Sequence, residues 1–125
     1  MIGSIRGKVI LKDGNHLIVD VNGIGYRVLV SAKVLSQNHL DKVTLLYTYT
    51  HVKEDALELF GFSEIQDLKL FENLLGVSGI GPRTAMSIFS FLSREEIING
   101  VLKGDTGVFY KNSQTGQEKC SKDYN

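Results

Sequence analysis

Apolar positions follow two different periods along the chain, and the change between them falls near Ser63. In residues 1–62, β-branched and aromatic residues gather in short runs bounded by turn-forming residues, a pattern that predicts strands. The runs place strands over residues 2–11, 17–21, 24–30, 43–51 and 56–62, with one short helical turn over 31–35. Gly14 and Asn15 supply a turn, and Asn22 followed by Gly23 is a strong two-residue hairpin signal because both tolerate positive φ. Gly23 and Gly25 mark points of bend or bulge. Short strands with glycine-rich corners predict a small all-β barrel over residues 1–62.

From residue 63 the period becomes helical. Ser63 and Gln66 have the spacing of a capping box, and Ile65, Leu68, Phe71, Leu74 and Leu75 then fall on one helical face. The glycine-rich segment 76–81 interrupts that face. Pro82 opens a second helix, where its missing N–H costs nothing, and Ala85, Ile88, Phe89 and Leu92 form its apolar side. Ser93 and Glu96 repeat the capping box and lead a short helix to about Gly100. Residues 63–109 are therefore expected to form a small all-α domain, and residues 110–125, nearly devoid of apolar side chains, a disordered polar tail.

Composition narrows the function classes. A chain of 125 residues is one ordinary domain or two small ones, and 42% hydrophobic with 22% charged residues is a soluble, globular profile. No apolar run is long enough to span a membrane, and the N-terminus has no secretion signal. Cys120 is the only cysteine, so no internal disulfide is expected and a reducing cytoplasm fits. His16, His39 and His51 are scattered, which gives no expectation of a metal or any other cofactor. The formal net charge is zero, so nucleic acid would have to be held by local devices and not by a broad basic field.

One such device is present. Gly79, Ile80 and Gly81 make a tight hairpin whose backbone amides are unobstructed by side chains and stand at the start of the following helix. Arg83 and Thr84 follow on its first turn and complete a candidate phosphate site of the helix-hairpin-helix form, which grips phosphate without reading bases. A plain helix-to-helix turn is the alternative. Nucleotide binding is a weaker rival, since no third glycine stands at dinucleotide-fold spacing and no phosphate-loop motif of an ATP motor occurs. Tyr26, Tyr47 and Tyr49 offer a stacking platform for single strands as an alternative function, although such alternating tyrosines equally suit a core or an interface. No carboxylate cluster or activated nucleophile points to an enzyme, and His51 is expected to make a structural hydrogen bond at a strand end.

Residues 1 to about 109 resemble the RuvA family. The resemblance rests on the ordered set of segments 1–7 (Met-Ile-Gly-Ser-Ile-Arg-Gly), 21–26 (Val-Asn-Gly-Ile-Gly-Tyr), 51–55 with 59–62, and 76–82 (Gly-Val-Ser-Gly-Ile-Gly-Pro). It implies an oligonucleotide-binding (OB-fold-like) barrel, then a domain with two helix-hairpin-helix motifs, then a linker and a third domain that contacts the RuvB ATPase. It further implies a bacterial cytoplasmic, non-catalytic homotetramer on which an open four-way Holliday junction lies flat. The implied setting is branch migration in DNA recombination, DNA repair and the SOS response, with RuvB and the RuvC resolvase as partners. Glu54 and Asp55 match the family's acidic pin, which repels phosphates and keeps strands apart at the crossover. On the residues alone, Lys53, Glu54 and Asp55 read as a solvated turn.

The family's second hairpin is expected where residues 110–125 stand, and their polar sequence does not supply it. Codons chosen for these residues, read one base later, spell an Ile-Pro-Arg-Leu-Gly turn followed by two lysines. The expectation is that a frameshift replaced the second hairpin and the RuvB-contacting domain, leaving weak junction binding without ATP-driven migration. A natural short variant or a deliberate truncation is the competing explanation. Sequencing the gene across codons 108–112 tests the frameshift, and the absence of the other reading there would remove it.

Overall fold

Local turn chemistry sets the first sheet. In the computed structural model, which describes residues 1–104, β1 (Ser4–Asp13) turns through Gly14, at φ 59°, into β2 (His16–Val21). β2 turns into β3 (Ile24–Val30) through Asn22 and Gly23, whose φ angles are 51° and 92°. Positive φ at both turn positions matches the twist of the flanking strands. The Gly23 amide also donates to the Asp20 carboxylate at 3.1 Å, and Val21 pairs with Ile24. The Ser31 hydroxyl then accepts from the Val34 amide at 3.3 Å and starts the short helix α1 (Ala32–Gln37).

β4 (Val43–Val52) and β5 (Leu57–Phe62) complete a closed barrel with the strand order β1-β2-β3-β5-β4. β1 serves two neighbours: residues 4–8 pair with β4 and residues 8–13 with β2. The register shifts between Val9 and Leu11, a bulge that bends β1 from one neighbour to the other. The expected bends at Gly23 and Gly25 are thus only half right, because Gly25 pairs regularly with Asp20 and the irregularity falls at Ile10. Closure also needs β3 and β5 to pair in parallel, Val28 with Leu59 and Val30 with Gly61. Where β1 meets β2, a Cβ on Gly7 would overlap the Asp20 carbonyl oxygen, so only glycine permits that approach. Ile5, Val9, Leu17, Val19, Val28, Val30, Val34, Leu46 and Leu59 fill the interior, their alternation along each strand setting one face inward.

Helices follow the barrel: α2 (Ile65–Leu75), α3 (Pro82–Phe91) and α4 (Arg94–Lys103). Element type changes between Phe62 and Ile65, while the division into two compact units falls inside α2, between Lys69 and Leu70. In the second unit the Phe71 and Phe89 rings lie 6.5 Å apart, and Leu74, Ala85, Met86, Ile88, Leu92 and Ile97 are buried. The capping box at Ser93 and Glu96 forms as expected, and α4 runs three residues past Gly100 to end on Gly104 at φ 67°. The one at Ser63 does not form. The helix begins at Ile65, the Glu64 carbonyl accepts from the Asp67 and Leu68 amides, and the Ser63 hydroxyl lies 3.5 Å from Gln37 Oε1. No helix among the described residues is long and apolar enough to cross a membrane. The expected domain end at residue 109 and the polar tail 110–125 lie outside the described residues.

Candidate nucleic-acid interface

The segment between α2 and α3 is a turn held by some of its own backbone hydrogen bonds. The Gly76 amide donates to the Asn73 carbonyl at 3.1 Å and the Val77 amide to Leu74 at 3.0 Å, closing the end of α2. The Ile80 amide donates back to the Val77 carbonyl at 3.2 Å, a reversal that requires Gly79 at φ 84°. Gly81 is extended and caps α3, and its carbonyl accepts from the Ala85 amide at 2.9 Å. Among the described residues, neither the Gly79 nor the Gly81 amide donates a hydrogen bond. Nothing lies within 4 Å of where a Gly81 Cβ would be, so a ligand can approach this backbone closely.

These amides stand where the helix dipole of α3 is positive. No side chain caps α3, and its first helical residue is Pro82, so the helix start is left to backbone donors and to whatever anion meets them. Arg83 is exposed on that first turn and Thr84 half-buried. Ile80 differs from its neighbours: its side chain is 5% exposed, so it anchors the turn and can offer a ligand only its backbone. The sequence marked Ile80 as a site residue but carried no sign that its side chain points inward.

Glu54 and Asp55 occupy the tip of the β4–β5 hairpin in the first unit, both exposed. The Lys53 amide donates to the Ala56 carbonyl at 2.8 Å and closes the tip, and Val52 pairs with Leu57 just below it. The Lys53 ammonium lies 2.8 Å from Glu58 Oε1. Reading the sequence did not find this ion pair, because the two residues become neighbours only through the strand register. The acidic tip belongs to the first unit and the glycine hairpin to the second.

The other candidates are absorbed by packing. Tyr26 packs against the barrel core, and the Tyr49 ring meets Phe60 at 6.4 Å; Tyr47 is half-buried. His51 meets Phe60 edge-on at 6.5 Å and makes no side-chain hydrogen bond among the described residues, contrary to expectation. No group of three or more His, Cys, Asp or Glu side chains among the described residues is placed to hold a metal ion.

Comparison with known proteins bears on the chain's family. Residues 1–61 match the family model described as the RuvA N terminal domain. A relative from Halothermothrix orenii, named Holliday junction branch migration complex subunit RuvA, is 46% identical over 102 residues, covering 82% of this chain and 52% of the relative. Proteins of the same name from Herpetosiphon aurantiacus and Limosilactobacillus fermentum are 37% and 34% identical over 98% of this chain and 62% and 61% of their own lengths. The chain thus spans little more than half the length of these relatives.

Proposed function

The chain belongs to the RuvA family, and on that premise we propose that it recognises four-way DNA junctions and holds them open for branch migration. The observation that carries this reading is the backbone of Gly79 and Gly81, whose amides stand at the α3 start without a protein acceptor among the described residues. Amides presented in this way suit phosphate oxygens, and contacts to phosphate position a protein on DNA without reading its sequence. Arg83 and Thr84 add side-chain donors on the same turn. A chain with zero formal net charge has to rely on such local contacts.

The carboxylates at the β4–β5 tip supply the complementary element. Glu54 and Asp55 repel phosphate and favour a junction whose strands are splayed over a linear duplex that presses on the tip. Repetition around the four-fold axis of a homotetramer sets several such tips at one crossover and multiplies the repulsion. Residues 1–62 serve in this scheme as the barrel that carries the tip, and residues 63–109 as the first helix-hairpin-helix motif. The chain's role is binding and not catalysis. The setting proposed for it is the bacterial cytoplasm, with the RuvB ATPase and the RuvC resolvase as the family's partners.

A gel shift of this chain with a four-way junction, a linear duplex and a single strand tests the reading. The junction is expected to bind best. The double variant Glu54→Gln, Asp55→Asn is expected to lose part of that preference, because duplex binding rises once the repulsion is gone. Equal affinity for all three DNAs, or a preference for the single strand, would refute the proposal.

A further inference from the structure

The β4–β5 register sets Glu58 opposite His51 and Leu57 opposite Val52, which leaves Lys53 one step nearer the tip. Side chains two residues apart share a face of the sheet, so Lys53 is diagonal to Glu58, a separation that long side chains bridge. Their charged atoms meet at 2.8 Å, with the Glu58 side chain only 18% exposed and that of Lys53 44%. With its ammonium half-exposed, such a pair adds little to stability. The consequence of this one lies in where it holds its charges.

Between residues 53 and 58 the hairpin has three carboxylates, on Glu54, Asp55 and Glu58, and one ammonium, on Lys53. A free Lys53 would be the immediate neighbour of Glu54 and Asp55. There it would offset one of their charges and offer a cation to any phosphate that approached. Held against Glu58, it instead cancels a carboxylate already withdrawn from solvent, and the tip keeps the charge of Glu54 and Asp55 undiluted.

We propose that Lys53 is a positioning residue, drawn back by Glu58 so that the hairpin meets DNA as a purely acidic element. This rests on the reading of Glu54 and Asp55 as a phosphate-repelling tip. Its chemical requirement is an acceptor on β5 that Lys53 reaches from β4, and Glu58 meets it by register. Glu58→Gln keeps the shape of the side chain while removing the charge that holds the amine.

Two measurements on the whole chain test it. The first labels amines with an acetylating reagent and follows Lys53 against the exposed Lys33 and Lys42 by mass spectrometry. Lys53 is expected to react roughly two- to fivefold more slowly than these references, the factor an exposed pair of this strength gives, and to reach their rate in Glu58→Gln. Equal rates in the unaltered chain would overturn the proposal. The second follows junction affinity against salt. Glu58→Gln is expected to raise affinity about two- to fivefold and to steepen the salt dependence by about one phosphate contact; adding Lys53→Gln should reverse both. If Glu58→Gln changes neither while Glu54→Gln, Asp55→Asn does, Lys53 is not held for this purpose. If the acidic-tip variant is silent as well, the tip reading falls first and the proposal with it.

Discussion

Replacing Gly79 by valine is expected to lower affinity for a four-way junction about tenfold or more, a change of at least ~1.4 kcal/mol. Gly79 holds φ at 84°, where an L-residue pays about 1–2 kcal/mol and a β-branched one more. The turn relieves that strain by rotating the adjoining peptide planes, which turns the Gly79 and Gly81 amides away from a common phosphate. Gly79→Asn is the control, since asparagine tolerates the left-handed region far better, and it should retain most of the binding. The comparison needs one fixed salt concentration, because phosphate contacts are salt-dependent, and a thermal melt to show that both variants are folded. Junction binding by Gly79→Val at the original strength would place the phosphate grip elsewhere in the chain.

Phe60→Ala is expected to destabilise the folded chain by about 3–5 kcal/mol, the usual cost of removing a buried aromatic ring. Phe60 is fully buried, and the Tyr49 and His51 rings lean on it at 6.4 and 6.5 Å. Its strand pairs with β3 on one side and β4 on the other, so the surrounding backbone cannot close over the space. Against the roughly 5–15 kcal/mol that holds an average domain together, this is a large share. The urea midpoint should fall sharply with an unchanged slope. A loss below about 1 kcal/mol would show that the ring's surroundings can collapse into the space it leaves.

Much of the fold was legible because its determinants are local. Asn22 with Gly23, Pro82, and Ser93 with Glu96 each act within four residues, and all three behave as their chemistry requires. The candidate site was legible to the same depth. Gly79 and Gly81 stand in a turn before a helix, and Glu54 and Asp55 stand at a hairpin tip, because glycine content and strand spacing are properties of short segments.

Other features were decided by partners distant in the chain. Ser63 has the spacing of a cap, yet α2 starts one residue later than such a cap would place it, and the Ser63 hydroxyl lies near Gln37. Ile65 lies on the apolar stripe of α2 yet is 38% exposed, while Ile80, in a turn, is buried. The bulge at Ile10 exists because β1 must bend from β4 to β2 for the barrel to close, a demand that no residue near Ile10 expresses. The parallel pairing of Val28 with Leu59 joins segments about thirty positions apart, and the contact of Lys53 with Glu58 follows from register. Side-chain period and turn chemistry therefore determined which elements form and where the chain reverses. Closure of the barrel and burial in the helical unit decided which of those residues face inward, which bend, and which charges meet, since these depend on neighbours that only the folded chain brings together.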